Sequence, residues 1–294
     1  MTKVVRLKAP RPPPPPPPPP PRAQLAALQR DRWVSYPAGD AGLERLGELL
    51  ATPARVRMPC LLLYGMSGTG KSMLLEKFQR DNATKSSRAT GGRIIVSTQM
   101  PPVPVLRSLY AEFVRSLNAN ARPNLRLHEL ESTAIAMLKH VAPRMLIIDE
   151  IQHLLSCNAR EQRAALNAIK YLANTLRMSI VAAGTHEAVH VMRYDPQIAS
   201  RFEQMELPIW GESEEFRRFV AGYIQTLPIK TLPNAIDRRF LAYVLELTDG
   251  VTGRVVDLLR RAAIHAANSD LKNISLDVLQ RVGARLPAII SQRA

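Results

Sequence analysis

The chain has 294 residues, 46% of them hydrophobic, with a formal charge of +15 and a pI near 10.4. That length suits one α/β domain with a smaller appendage, and the charge favours a polyanionic partner such as nucleic acid, with solubility as the plainer reading. Cys60 and Cys157 are too few for a disulfide framework and point to a reducing interior, while the absence of a signal-peptide pattern and of an apolar run of about 18 residues argues against export and membrane insertion.

Residues 1–22 hold Lys3, Arg6, Lys8, Arg11 and Arg22 and no acid, which leaves about +10 on the rest of the chain. Pro10 and Pro12 to Pro21 cannot donate backbone hydrogen bonds and favour polyproline II. Residues 1–22 therefore read as a disordered, proline-rich basic arm containing a stiff spacer, with docking of a proline-binding module as the alternative. Residues 23–58 read as a helical lead-in, with helical pieces from Ala23 to Arg30 and from Leu43 to Leu50. Trp33 and Tyr36 between them are placed either to stack on a base or to pack against the next domain.

Residues 59–209 read as an α/β nucleotide-binding domain. Its first strand runs into Leu61 to Ser72, L-L-L-Y-G-M-S-G-T-G-K-S, an apolar run followed by a glycine loop. Gly65, Gly70, Lys71 and Ser72 satisfy G-x-x-x-x-G-K-[ST], with Gly68 as a further flexible point. Loop N–H groups and the N-terminus of the next helix, Met73 to Arg80, can point at a polyphosphate. Lys71 can reach the β and γ phosphates, and the Ser72 hydroxyl can hold Mg²⁺. Ser67 and Thr69 complete the candidate nucleotide contacts.

Further along, Ile94 to Val96 reads as a buried strand, and Val105 to Leu117 and His128 to Val141 as helices with core-facing stripes. Met145 to Ile148 is an apolar strand closed by Asp149 and Glu150. At the end of a parallel strand beside the cradle, Asp149 can hold the Mg²⁺ shell and Glu150 can polarise a water against the γ-phosphate. His153 adds one imidazole to those acids, short of a transition-metal set, and reads as an interface or supporting residue. Arg160 to Leu176 is an expected helix, Ser179 to Ala183 a fourth strand and Met205 to Ile209 a short fifth. Strands alternating with helices give a parallel sheet covered on both faces. Residues 210–294 read as a small all-helical lid, with helices at Glu214 to Leu227, Ile236 to Leu247, Gly253 to Ala267 and Ser275 to Ile290.

G-M-S-G-T-G-K-S, R-M-L-I-I-D-E-I-Q-H, V-A-A-G-T, S-R-F-E and the later G-V-T-G-R together resemble the AAA+ ATPases. D-R-W-V-S-Y-P, R-M-P-C-L-L-L-Y-G, E-K-F and R-F-E-Q-M-E-L-P-I-W narrow the resemblance to TniB, the transposition ATPase family related to TnsC, over about residues 30 to 290. The resemblance implies a five-stranded parallel sheet between helices with a C-terminal helical lid. It implies that Thr185, where Asn is common, senses the γ-phosphate, that Arg201 acts in trans on a neighbouring subunit's nucleotide with Arg193 as the alternative, and that Arg254 contacts nucleotide from the lid.

For function, the resemblance implies an ATPase using ATP and Mg²⁺ in the bacterial cytoplasm, without a membrane partner. It would form a ring or filament on double-stranded DNA, largely independent of sequence, and recruit a DDE transposase together with an adaptor of the TniQ type. Lys85, Arg88, Arg93 and Arg107 are the candidate DNA contacts, from charge and family topology. The alternatives are an ATP-dependent helicase loader or protein-remodelling factor, and a nucleotide-gated interaction module with little turnover.

Overall fold

The computed structural model describes residues 22–83, 94–119, 125–229, 236–269 and 273–284. Its centre is a five-stranded parallel sheet in the order β2-β3-β4-β1-β5, formed by β1 (Cys60–Tyr64), β2 (Ile95–Gln99), β3 (Met145–Asp149), β4 (Ser179–Gly184) and β5 (Phe202–Glu206). Because successive side chains leave a strand on opposite faces, strands covered on both sides read as continuous apolar runs. Leu62, Val96, Leu146, Ile148 and Ile180 face one layer and Leu61, Leu63, Met145, Ile147 and Val181 the other. Each fully buried leucine of β1 is worth about 1.5–3 kcal/mol against an exposed one.

The first layer holds α4 (Leu106–Ser116), α5 (Leu127–Val141), α6 (Ala159–Leu176) and α7 (Glu187–Arg193). The second holds α2 (Pro37–Ala51) and α3 (Lys71–Asn82). A third cluster joins α1 (Arg22–Gln29) to the lid helices α9 (Glu214–Thr226), α10 (Arg238–Thr248), α11 (Thr252–Ala267) and α12 (Leu276–Gly283). Leu28 of α1 is fully buried in it. The lead-in therefore divides, α2 seated on the sheet and α1 on the lid, with Trp33 and Tyr36 at the turn between them.

The fifth strand lies three residues earlier than its apolar letters suggest. It is an edge strand paired only with β1, so Glu203, Gln204 and Glu206 face outward and its pattern is half polar. The apolar L-P-I-W run comes after it: Leu207 N–H adds one bond to Tyr64 O at 2.8 Å, and Pro208 begins the passage to the lid. Three short pieces carry no sequence periodicity: a 3₁₀ segment (Ile151–Ser156), α7, and α8 (Pro196–Ala199). Lys85, Arg88 and Arg93 lie outside the described residues, as do the proline arm and the end of the expected helix to Ile290. Among the described residues, no helix is long and apolar enough to cross a membrane.

Candidate functional site

The site is built where β1 and β3 end. The chain leaves β1 at Gly65 and re-enters regular structure at Lys71, the first residue of α3. Gly70 precedes that helix with φ 98°, a left-handed conformation that leaves its N–H and those of the first helical turn directed at the cradle. Thr69 tightens the loop, its hydroxyl donating to Met66 O at 2.9 Å. A helix N-terminus and a curled run of peptide N–H groups suit an anion.

Lys71 is buried, with Nζ donating to Gly65 O at 2.9 Å and Met66 O at 2.8 Å. Burial pulls its pKa below the ordinary lysine value, and Asp149 and Glu150 work against that pull. Ser72 faces outward and its Oγ donates to Asp149 Oδ2 at 2.7 Å. A hydroxyl and a carboxylate in contact beside the cradle are hard oxygen donors of the kind Mg²⁺ takes, so the donor set fits that ion.

Asp149 ends β3 and its Oδ1 accepts the N–H of Glu150 at 2.9 Å. Glu150 itself lies just past the strand at φ 58°, ψ 37°. For a residue with a side chain this backbone costs of order 1–3 kcal/mol, and such strain gathers at functional sites. The turn is held from outside: His153 Nδ1 lies 2.9 Å from Met100 O, which gives that histidine a supporting place.

Thr185 is the first residue after β4. Its N–H donates to Gln152 Oε1 at 3.2 Å, and its hydroxyl is buried without a partner among the described residues. Gln152 was not among the sequence candidates, and nothing in its letter or spacing distinguishes it. The lid touches the cradle through backbone: Gly253 N–H donates to Gly68 O at 2.8 Å. Arg254, one residue on, pairs with Asp249 at 2.8 Å. Beside Gly70 a cavity of about 220 Å³ opens between lead-in and lid, lined by Trp33, Tyr36, Met73, Tyr223 and Arg260 among others. Tyr36 is buried there in an aromatic cluster with Trp33, Trp210 and Phe219, and burial raises its pKa to about 12.

Arg201 stands at the other end of the sheet. Its carbonyl accepts from Cys60 N–H at 3.3 Å, level with the start of β1, and its Nη1 donates to Asn174 Oδ1 at 2.6 Å. The five residues of β1 separate it from Gly65, roughly 16 Å at the usual rise per residue and more than an arginine side chain can span. Arg193 ends α7. Arg107 lies in the first turn of α4 and donates to Leu125 O.

Comparison with known proteins bears on the family and the fold. Residues 24–212 match the family of bacterial TniB proteins. No curated protein sequence matches the chain. Among solved structures, Aeropyrum pernix ORC1 in complex with DNA superposes with a TM-score of 0.68 at 19% identity, covering 89% of this chain and 69% of that one. The Aeropyrum pernix ORC2 protein (ADPNP-ADP complexes) gives 0.67 at 16% identity over 90% and 72%. Domain III of the Thermotoga maritima replication initiation protein DnaA gives 0.54 at 15% identity over 90% and 97%. The match to the family extends from the lead-in through both strand ends and Arg201, and the chain therefore belongs to the TniB family, built as a P-loop ATPase of the AAA+ fold.

Proposed function

We propose that the protein is an ATP- and Mg²⁺-dependent regulator of transposition that assembles on duplex DNA and recruits a DDE transposase, with a target adaptor of the TniQ type. Bound ATP with Mg²⁺ supplies a γ-phosphoryl group open to attack by water. The loop from Gly65 to Gly70, with Ser67 and Thr69, wraps the phosphates, Lys71 places its charge on them, and Ser72 and Asp149 hold the ion. Glu150 takes a proton from the water, Thr185 reads the γ-phosphate, and Arg254 reaches the nucleotide from the lid. The aromatic-lined cavity beside Gly70 takes the base.

The observation that carries the assembly is the distance of Arg201 from the loop of its own chain. A positive charge that stabilises phosphoryl transfer must sit at the reacting group, so this one serves the site of a neighbouring subunit. DNA enters through charge. Residues 23–294 carry about +10; charge of this kind neutralises phosphates, and affinity drawn from released counterions is indifferent to sequence and steep in salt. Arg107 is a candidate contact, beside Lys85, Arg88 and Arg93.

The test is electron microscopy and salt-dependent titration of a chain beginning at Arg22 on random-sequence duplexes, with and without ATP. Continuous ATP-dependent assemblies with a steep salt slope are expected, and Glu150→Gln should make them persist. Binding that ignores ATP, or that prefers one sequence strongly, would sink this reading. Assembly on a protein client without DNA would favour a helicase loader or remodelling factor.

A further inference from the structure

Gln152 lies two residues beyond Glu150, in the 3₁₀ segment, and its amide spans the gap between the ends of β3 and β4. Nε2 donates to Glu150 Oε2, and Oε1 accepts the Thr185 N–H at 3.2 Å. Chemistry fixes which way the amide faces: a peptide N–H only donates, so the oxygen must turn to Thr185 and the NH₂ group to the carboxylate. Among the described residues, no other side chain bonds to the Glu150 carboxylate.

The space around the amide is shaped to it. A Cβ on Gly184 would lie 2.4 Å from Gln152 Oε1, 2.9 Å from Ala188 Cβ and 3.1 Å from Ile151 Cγ2. Any side chain at 184 would displace the amide. Glutamine alone supplies both bonds at this length. Methionine keeps the volume and makes neither. Glutamate keeps the acceptor for Thr185 but turns a second oxygen against Glu150.

We propose that Gln152 is a positioning residue: it braces the Glu150 carboxylate against the Thr185 peptide, so that the base and the end of β4 keep one geometry before the γ-phosphate. The brace rests on the reading of Glu150 as the base. A carboxylate on a left-handed residue outside the strand has rotamers to lose, and small losses of aim at a reacting group are expensive in rate. Nucleotide binding, carried by the loop and Lys71, does not use the amide.

The experiment compares Gln152→Met, Gln152→Glu, Glu150→Gln and the Gln152→Met, Glu150→Gln double variant in the full chain with duplex DNA. It measures single-turnover ATP cleavage and ATP affinity. Gln152→Met should lower the cleavage rate about 10- to 100-fold with affinity kept within about threefold, and Gln152→Glu should lower it further. On the Glu150→Gln background Gln152→Met should cost less than about twofold, because it acts through the group already lost. Unchanged or faster cleavage in Gln152→Met, beside an inactive Glu150→Gln, would overturn the brace and leave the base in place. Equal losses in rate and affinity, additive in the double variant, would reduce Gln152 to a packing role and also overturn it. Normal cleavage by Glu150→Gln would remove the base, and the brace with it.

Discussion

The two ends of the sheet are built on opposite plans. At the ends of β1, β3 and β4, most polar groups already have partners within the chain, the buried Thr185 hydroxyl excepted: Ser72 with Asp149, Lys71 with loop carbonyls, Gln152 with Glu150 and the Thr185 N–H, and Gly253 with Gly68. At the starts of the strands stand three arginines. Arg57 donates to Ser200, Arg144 to the carbonyls of Ala51 and Thr52, and Arg201 to Asn174. These partners are neutral oxygens, and among the described residues none of the three arginines forms an ion pair. One end is thus nearly closed on itself, and the other holds three arginines that stand outside any ion pair among the described residues. A phosphate bound between two copies would answer both, the cradle of one against the arginine edge of the next.

The cradle is the easier to break. Lys71→Ala removes the buried ammonium that bonds to Gly65 and Met66; if that ammonium serves the phosphates as proposed, ATP affinity should fall at least 100-fold. The loop keeps its glycines and the bond from Thr69 to Met66, and unfolding should still be cooperative. Titration with labelled ATP and a thermal melt check both halves. Affinity within a few-fold of the parent would remove Lys71 from the cradle.

The arginine edge needs a test that separates damage from distance. Arg201→Ala should bind ATP as a single subunit but lose turnover and ATP-dependent assembly, at least tenfold. Mixing two variants tells a charge in trans from local damage. In a mixture with Lys71→Ala, an Arg201→Ala cradle can face an intact arginine on a Lys71→Ala neighbour, so two inactive proteins should recover part of the activity. Recovery measured by phosphate release places the charge in trans. A mixture as inactive as its parts would deny that, and full activity in Arg201→Ala alone would move the role to Arg193.

These two ends were unequally legible in the sequence. The cradle and the Asp149–Glu150 pair are local codes, in which consecutive residues specify loop, helix start and strand end. The place of Arg201 ahead of the fifth strand was legible through its S-R-F-E context, although that strand starts at Phe202 rather than Met205, because an edge strand has no reason to be apolar on both faces. Gln152 was not legible, since its role depends on Thr185 and Gly184 arriving from 33 and 32 residues away to meet it. The seating of α1 on the lid was hidden for the same reason: the stripe that buries Leu28 does not name the surface it meets. Short elements such as α8 escaped because four residues cannot display a helical period.

The smallest expected effect lies at the join of lid and cradle, where Gly253 approaches Gly68. Gly253 sits in the first turn of α11, where alanine is the better helix former by about 1 kcal/mol. Against that, its new Cβ would stand 3.0 Å from Gly68 O, the atom that accepts the Gly253 N–H at 2.8 Å. Lid and loop must then separate by a few tenths of an ångström. Gly253→Ala should therefore lower ATP affinity about three- to tenfold, roughly 0.7–1.4 kcal/mol, while its melting temperature stays level or rises slightly. Gly47→Ala in α2 is the control, because a Cβ there meets nothing within 4 Å. It should take the helical gain and leave ATP affinity untouched. If both variants bind ATP like the parent, the contact between Gly253 and Gly68 is incidental to the nucleotide. If both weaken binding equally, the effect comes from the helices and the join has no part in it.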